Sequence, residues 1–192
     1  MPDKVILTRI AELEASLLEL RREFIAQKSQ TDEGIDALTF IVRQKEYAVF
    51  LSDVVEVLRM VKWSPLPKAP PDIQGVINCR GAILPLLNPG LLLANEPLDP
   101  SLASSLVVVS AAGQQIAIIV ESVVGVQQYH GNELTSVVEA QKQHRTLPPF
   151  IVGFIKREAE HTAVLDVNQL LGIEDHRALG MALRERDEWG QF

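Results

Sequence analysis

Four histidines, one cysteine and an arginine at an expected turn are the residues of this 192-residue chain whose types could carry chemistry. His130, His144, His161 and His176 lie far apart, with no pair at the i, i+4 spacing that sets two imidazoles on one helix face, so no zinc motif and no metal ligand is expected. Cys79 is the only cysteine, which excludes an intrachain disulfide and a cysteine-rich metal site. A thiolate beside the cation of Arg80 would be a nucleophile of lowered pKa, but a lone cysteine in an apolar run is far more often a small buried hydrophobe. Neither a Gly-x-Ser-x-Gly elbow, nor Gly-x-Gly-x-x-Gly, nor a phosphate loop ending in Gly-Lys-Ser or Gly-Lys-Thr is present. No catalytic and no cofactor-binding residue is therefore assigned; an enzyme with a site between its halves would need convergent titratable groups in a polar pocket.

What remains is surface. Arg80-Gly81 lies between two apolar runs, Ile73 to Ile77 and Ala82 to Leu87, with Asn78 before it, which reads as a hairpin with the arginine at its tip. A turn arginine is commonly a solvated charge, yet the planar guanidinium is favoured at interfaces because it makes two hydrogen bonds at once. Glu56, which follows the apolar pair Val54-Val55, is the second surface residue to weigh. Ser52 or Asp53 is positioned to cap a short helical segment through Val57, in which Glu56 would be an ordinary exposed helix residue.

The elements that must position these residues recur along the chain. Leu38 to Val42 and Tyr47 to Leu51 are β-rich runs around a polar turn. Four prolines between Trp63 and Asp72 fit an extended connector. The uncharged stretch from Pro100 to Val120 holds four serines and Gly113-Gln114-Gln115, so it reads as two strands around a turn, not a transmembrane helix. Tyr47 to Val57, YAVFLSDVVEV, lies over Ile116 to Val126, IAIIVESVVGV; Ile73, Gly75 and Ile77 return as Ile151, Gly153 and Ile155; Ala82 to Leu86 matches Ala163 to Val167. Gly75 and Gly153 are expected to be structural, permitting a bulge or a close backbone approach. Two copies of a unit of about five short strands imply two small barrels or strongly curled sheets joined near residue 100.

Ahead of them, Asp3 to about Lys28 is rich in helix formers. Ile6, Ile10, Leu13, Leu17, Leu20 and Phe24 alternate steps of four and three, a heptad seam of about three repeats. In a parallel homodimer Arg9 would face Glu14 and Glu23 would face Lys28. Ala11, Leu18 and Ile25 widen the apolar face, which suits docking on a domain or a bundle better than an autonomous coil. Ile10, Leu13, Leu17, Leu20 and Phe24 are the expected helix interface.

Composition narrows the function classes. Hydrophobic residues make up 47%, enough for real cores, and a net charge of −7 argues against nucleic acid and anionic membrane as partners. Asp3, Lys4, Arg9, Glu12 and Glu14 interrupt any signal peptide, so an acidic, soluble, cytoplasmic protein that is not membrane-inserted is expected. The domain plan is residues 1–33 as helix and linker, 37–172 as the main domain with halves of about 37–100 and 101–172, and 173–192 as a short helix and tail.

The succession Tyr47 to Leu51, Val54-Val55-Glu56-Val57, Leu66-Pro67, Ile73-Gln74-Gly75-Val76-Ile77-Asn78, Arg80-Gly81 and Ile83 to Leu87 closely resembles the CheW-like domain, over roughly Leu38 to Gly172. The resemblance implies a mainly β fold of two SH3-like five-stranded barrels, here with an N-terminal helix and short connecting and C-terminal helices. It also implies a non-catalytic adaptor between the cytoplasmic tips of methyl-accepting chemoreceptors and the regulatory domain of a CheA-type histidine kinase. By position, Val54 to Glu56 and Arg80-Gly81 fall where the family contacts kinase or receptor. Two departures stand out: Asn88-Pro89 replaces a usual Asp-Leu pair, and Cys79 a usual leucine. A different reading is a structural oligomerisation module assembled by the N-terminal helix without kinase coupling.

Overall fold

The computed structural model describes residues 2–31, 33–111, 114–137, 147–156 and 161–170. The histidines His144 and His176 and the expected short helix and tail at 173–192 lie outside the described residues.

Helix α1 (Pro2–Lys28) precedes β1 (Ile35–Val42) and β2 (Lys45–Phe50). Their turn, Arg43-Gln44, has both residues at positive φ, 49° and 62°, the geometry that matches the twist of paired strands. A 3-10 turn at Leu51–Asp53 leads into β3 (Val54–Arg59), followed by β4 (Ile73–Cys79), β5 (Ala82–Leu87) and α2 (Gly90–Ala94). The second half gives β6 (Ser105–Ala111), β7 (Gln114–Val120), β8 (Ser122–Tyr129), β9 (Leu134–Ser136), β10 (Ile151–Lys156), β11 (His161–Leu165) and α3 (Val167–Leu170). The expected helical segment through Val57 is instead strand β3. Only Leu51–Asp53 turns helically, because Val54, Val55 and Val57 are β-branched and lose rotamers in a helix.

Of the two expected forms, closed barrels or curled sheets, the described residues build curled sheets of six and five strands, ordered β8-β1-β2-β11-β10-β9 and β3-β6-β7-β5-β4. The strands do not divide between sheets near residue 100. The hairpin β1–β2 joins strands of the second half, and the hairpin β6–β7 joins strands of the first. Each repeat thus lends its hairpin to the other, and one continuous core of residues such as Phe40, Val49, Leu86, Val107, Ile118 and Leu165 spans both sheets.

Register shows how closely the copies agree. The ladder skips Val55 between β3 and β6, and skips its counterpart Val124 between β8 and β1. It skips again before Gly75 on β4 and before Gly153 on β10. The parallel pairings Leu86↔Ala117 and Val164↔Ala48 equate Leu86 with Val164, and hence Asn88 with Asp166. The third repeat block is therefore displaced by three residues from the match of Ala82 with Ala163. Apolar runs can be superposed at several offsets, whereas backbone pairing allows one.

Closure is approached at two points. The chain beyond β3 makes a two-bond bridge, Ser64 to Val76 on edge strand β4, with N–H···O distances of 2.9 and 2.8 Å. Pro65, Pro67, Pro70 and Pro71 follow Ser64 and cannot donate ladder bonds to extend the bridge. In the other sheet β9, three residues of strand, fills the same place beside β10.

Asn88 accounts for the departure at its position. Fully buried, its Oδ1 accepts the backbone N–H groups of Leu98 at 2.9 Å and Gly90 at 3.2 Å, while Nδ2 donates to the Leu98 carbonyl at 2.9 Å and to Gln74 Oε1 at 3.1 Å. A carboxylate could serve the first pair but not the second. Asn88→Asp is expected to lower the unfolding free energy by about 1–3 kcal/mol, read from urea denaturation at neutral pH; an unchanged midpoint would refute the donor role.

Candidate functional site

Strand β3 is an edge strand whose exposure alternates along its length. Val54 and Leu58 pack partly against the core, while Val55 and Val57 are 46% and 44% exposed. The same period continues past the strand end through Val61 and Trp63, both exposed, with Met60 buried between them and the strand. The result is a strip of exposed apolar side chains on the outside of a sheet edge. Sequence reasoning picked Val54, Val55 and Glu56 but missed Val57, Val61 and Trp63. The odd-number spacing of these residues was the available signal, obscured by reading the segment as helix.

The hairpin β4–β5 turns through Arg80 (φ 53°) and Gly81 (φ 94°), and Asn78 Oδ1 accepts the Gly81 N–H at 2.9 Å. A side chain at 81 would meet no neighbour, so the demand for glycine there is conformational. Because the five-stranded sheet curls, this tip reaches its opposite edge. Arg80 Nη2 donates to Glu56 Oε2 at 2.8 Å, and Cys79 Sγ lies 3.5 Å from Glu56 Oε1. The structure thus joins two segments that were singled out separately. Arg80 remains 80% exposed in this pair and Glu56 23%, so the guanidinium keeps donors free for a partner.

Cys79 is no activated nucleophile. Partial burial pushes its thiol above the ordinary range, Glu56 adds to that by hydrogen bonding and by charge, and Arg80 opposes them. The two described histidines have structural surroundings: His161 meets Phe154 edge to face, and His130 precedes the 3-10 turn Gly131–Glu133, with Glu133 Oε2 accepting its N–H at 2.9 Å. An open cleft of about 420 Å³ beneath α1 is lined by Phe24, Gly34, Ile35, Asp36, Phe50, Leu51 and Ser52, of which Asp36 alone is titratable. No acid-base pair converges there.

The glycines mark close approaches. A Cβ at Gly75 would stand 2.3 Å from the Ser64 carbonyl oxygen of the bridging segment, whereas one at Gly153 would stand 2.7 Å from Ile25 Cγ2 on α1. The helix therefore docks on β9 and β10, through Leu18 and the fully buried Ile25. Arg21 ties it to Asp53, the residue immediately before β3, by two hydrogen bonds of 2.8 and 2.9 Å. The expected interface residues Leu13, Leu17, Leu20 and Phe24 stay exposed. Ile10 lies on the same helix.

A family model, the CheW-like domain, matches residues 36–175. The chain belongs to the CheW-like domain family. Its relatives include the chemotaxis protein CheW of Rhizobium meliloti, 29% identical over 98 residues, 51% of this chain and 63% of that protein's length. The chemotaxis protein CheW of Thermotoga maritima is 25% identical over 156 residues, covering 81% of this chain and 93% of the relative; that of Bacillus subtilis is 23% identical over 145 residues, covering 76% and 92%. Among solved structures, the scaffolding protein TtCheW from Thermoanaerobacter tengcongensis superposes with a TM-score of 0.61 over 74% of this chain and 90% of its own, at 22% identity. The CheW-like match begins beyond α1, so the helix docked on β9 and β10 is an addition to the family domain.

Proposed function

We propose that this chain is a non-catalytic adaptor that couples chemoreceptors to a CheA-type histidine kinase in a chemosensory pathway of the bacterial cytoplasm. The observation that carries the reading is the exposed strip Val55, Val57, Val61 and Trp63 beside the Glu56–Arg80 pair, on a free sheet edge of a CheW-like fold. Apolar side chains around an arginine with spare donors are the composition of a protein-binding hot spot. Relatives named as chemotaxis proteins, and a neighbour titled a scaffolding protein, support the same class. The partners are the regulatory domain of the kinase and the cytoplasmic tip of a receptor. Among the described residues no helix is long and apolar enough to cross a membrane, which fits reaching the receptor array through those partners. An oligomerisation module without kinase coupling gives the strip no role.

Arg80→Ala tests the reading. The ion pair it breaks is largely exposed and contributes only about 0–1 kcal/mol to stability, so the melting temperature is expected to hold. Binding to kinase or receptor, measured by titration calorimetry, is expected to weaken about tenfold. Unchanged affinity for both partners would remove Arg80 from the site, and unchanged affinity in Val57→Asp as well would remove the strip.

A further inference from the structure

Helix α1 has 27 residues, and every described side chain from Val5 to Leu17 is exposed. About 20 Å of helix therefore stands beyond the part that docks. Along it runs an apolar seam that the protein's own body does not cover: Leu13 is 58% exposed, Leu17 38% and Leu20 61%. The docking side chains Leu18, Arg21 and Ile25 lie on average roughly 100° around the helix from that seam, so folding consumes one face and leaves the seam open.

We infer that this face pairs with the same face of a second copy, in a parallel two-stranded coil that makes the adaptor a dimer. The spacing Ile6, Ile10, Leu13, Leu17, Leu20, Phe24 supplies alternating a and d positions over about three heptads. The flanking charges choose the occupant and its direction. With Ile10, Leu17 and Phe24 at a, a parallel register sets Arg9 against Glu14 of the second copy and Glu23 against Lys28, both attractive and each occurring twice. The remaining flanking arginine, Arg21, is held by Asp53 and Asp166 and faces the uncharged Ser16. An antiparallel pairing of the same core layers would keep Arg9 against Glu23 but set Glu14 against Glu14 and leave Lys28 unmatched. Among the described residues Arg9 meets the exposed Glu12 at 3.0 Å and Lys28 pairs with the exposed Glu33, contacts that the coil would exchange. Because α1 is anchored through Arg21 and Ile25, the coil would hold two partner-binding strips in one assembly and raise avidity without new contacts. The inference does not depend on which partner those strips bind.

Sedimentation equilibrium of the full chain across a dilution series is expected to approach twice the monomer mass of 21.2 kDa at high concentration. Leu13→Glu with Leu20→Glu is expected to abolish the dimer while circular dichroism and melting temperature stay unchanged, since both side chains are exposed. Arg9→Glu is expected to weaken dimerisation about tenfold, and Arg9→Glu with Glu14→Arg to restore it within about threefold. A monomer at every concentration, or a dimer indifferent to the leucine changes, overturns the inference. Failure of the charge exchange to restore pairing overturns the parallel register. Those charge variants decide the matter even if the leucine variants prove poorly folded.

Discussion

Replacing Arg21 by methionine is expected to lower the unfolding free energy by about 3 kcal/mol at pH 7.5, the cost of stranding buried charge. Arg21 Nη1 and Nη2 hold both oxygens of Asp53, at 2.8 and 2.9 Å, and Nη1 stands 3.3 Å from Asp166 Oδ2. Both carboxylates are buried, and Asp166 Oδ2 has no hydrogen bond among the described residues, so the guanidinium is its compensation. Methionine keeps the aliphatic stem while removing the charge and its stacking on Phe50, whose ring centre is 5.4 Å from the guanidinium carbon. The loss is pH-dependent, with a determinable sign. Burial raises the pKa of Asp53 above its ordinary value; Arg21 pulls it down by hydrogen bond and charge, and Asp166 pushes it up. An acid whose folded pKa is raised binds its proton more tightly folded than unfolded, so its contribution to stability is greatest below the ordinary value and declines as pH rises through the folded pKa. Removing Arg21 removes the downward pull and moves that window higher. The deficit is therefore expected to be larger at neutral pH than in mild acid, because the raised folded pKa lets Asp53 take up its proton as the pH falls. Urea denaturation under the two conditions measures it, and an equal deficit in both would show that charge compensation is not what Arg21 provides.

This network explains why α1 is more than an appendage to a CheW-like domain. Asp53 ends the 3-10 turn from which β3 starts, and Asp166 follows β11, with its Oδ1 accepting the Gln169 N–H of α3 at 2.9 Å. One guanidinium thus joins the docked helix to both halves of the chain. Through Asp53 it also fixes the root of the strand that carries the candidate binding strip. Arg21 and Asp166 drew no notice from the sequence and Asp53 only as a cap, because residues 32 and 145 positions apart in the chain come together only through the tertiary fold.

Much of the architecture was legible because the repeat preserves residue types that strands and bulges need. Gly75 and Gly153 stand at equivalent ladder shifts, and the valine pairs 54-55 and 123-124 at equivalent bulges. The exchange of hairpins between sheets was not legible, since a hairpin paired with either half has the same hydrophobic pattern. Glu56 and Arg80 were each visible, but their contact depends on curl that brings opposite sheet edges together. The width of the apolar face on α1 did announce docking. It left unsaid that Leu18 and Ile25 would be buried and the heptad seam left bare, because only the shape of the receiving surface decides that.

That receiving surface is shaped by an absent side chain, and the Ile25–Gly153 pair is expected to show it as non-additivity. Ile25 is fully buried against Tyr129, Leu134, Val152 and Val164, so Ile25→Ala is expected to cost about 3 kcal/mol in transfer and cavity terms. At Gly153 a Cβ would stand 2.7 Å from Ile25 Cγ2 and 2.9 Å from its Cδ1. Gly153→Ala alone must displace the helix and is expected to cost about 1–3 kcal/mol by overpacking. In the Ile25→Ala background those two methyl carbons are gone, and the nearest remaining atom is the Thr135 carbonyl oxygen at 3.2 Å, a tight but tolerable neighbour. The double variant is therefore expected to be more stable than the sum of the single losses by about 1–2 kcal/mol, a coupling of the size found between residues in direct contact. Denaturation of the four proteins closes the cycle, and hydrogen exchange across residues 18–31 separates undocking of the helix from loss of the sheet. Additive losses would mean that α1 can shift on β10 at little cost, in which case glycine at 153 is not what seats the helix.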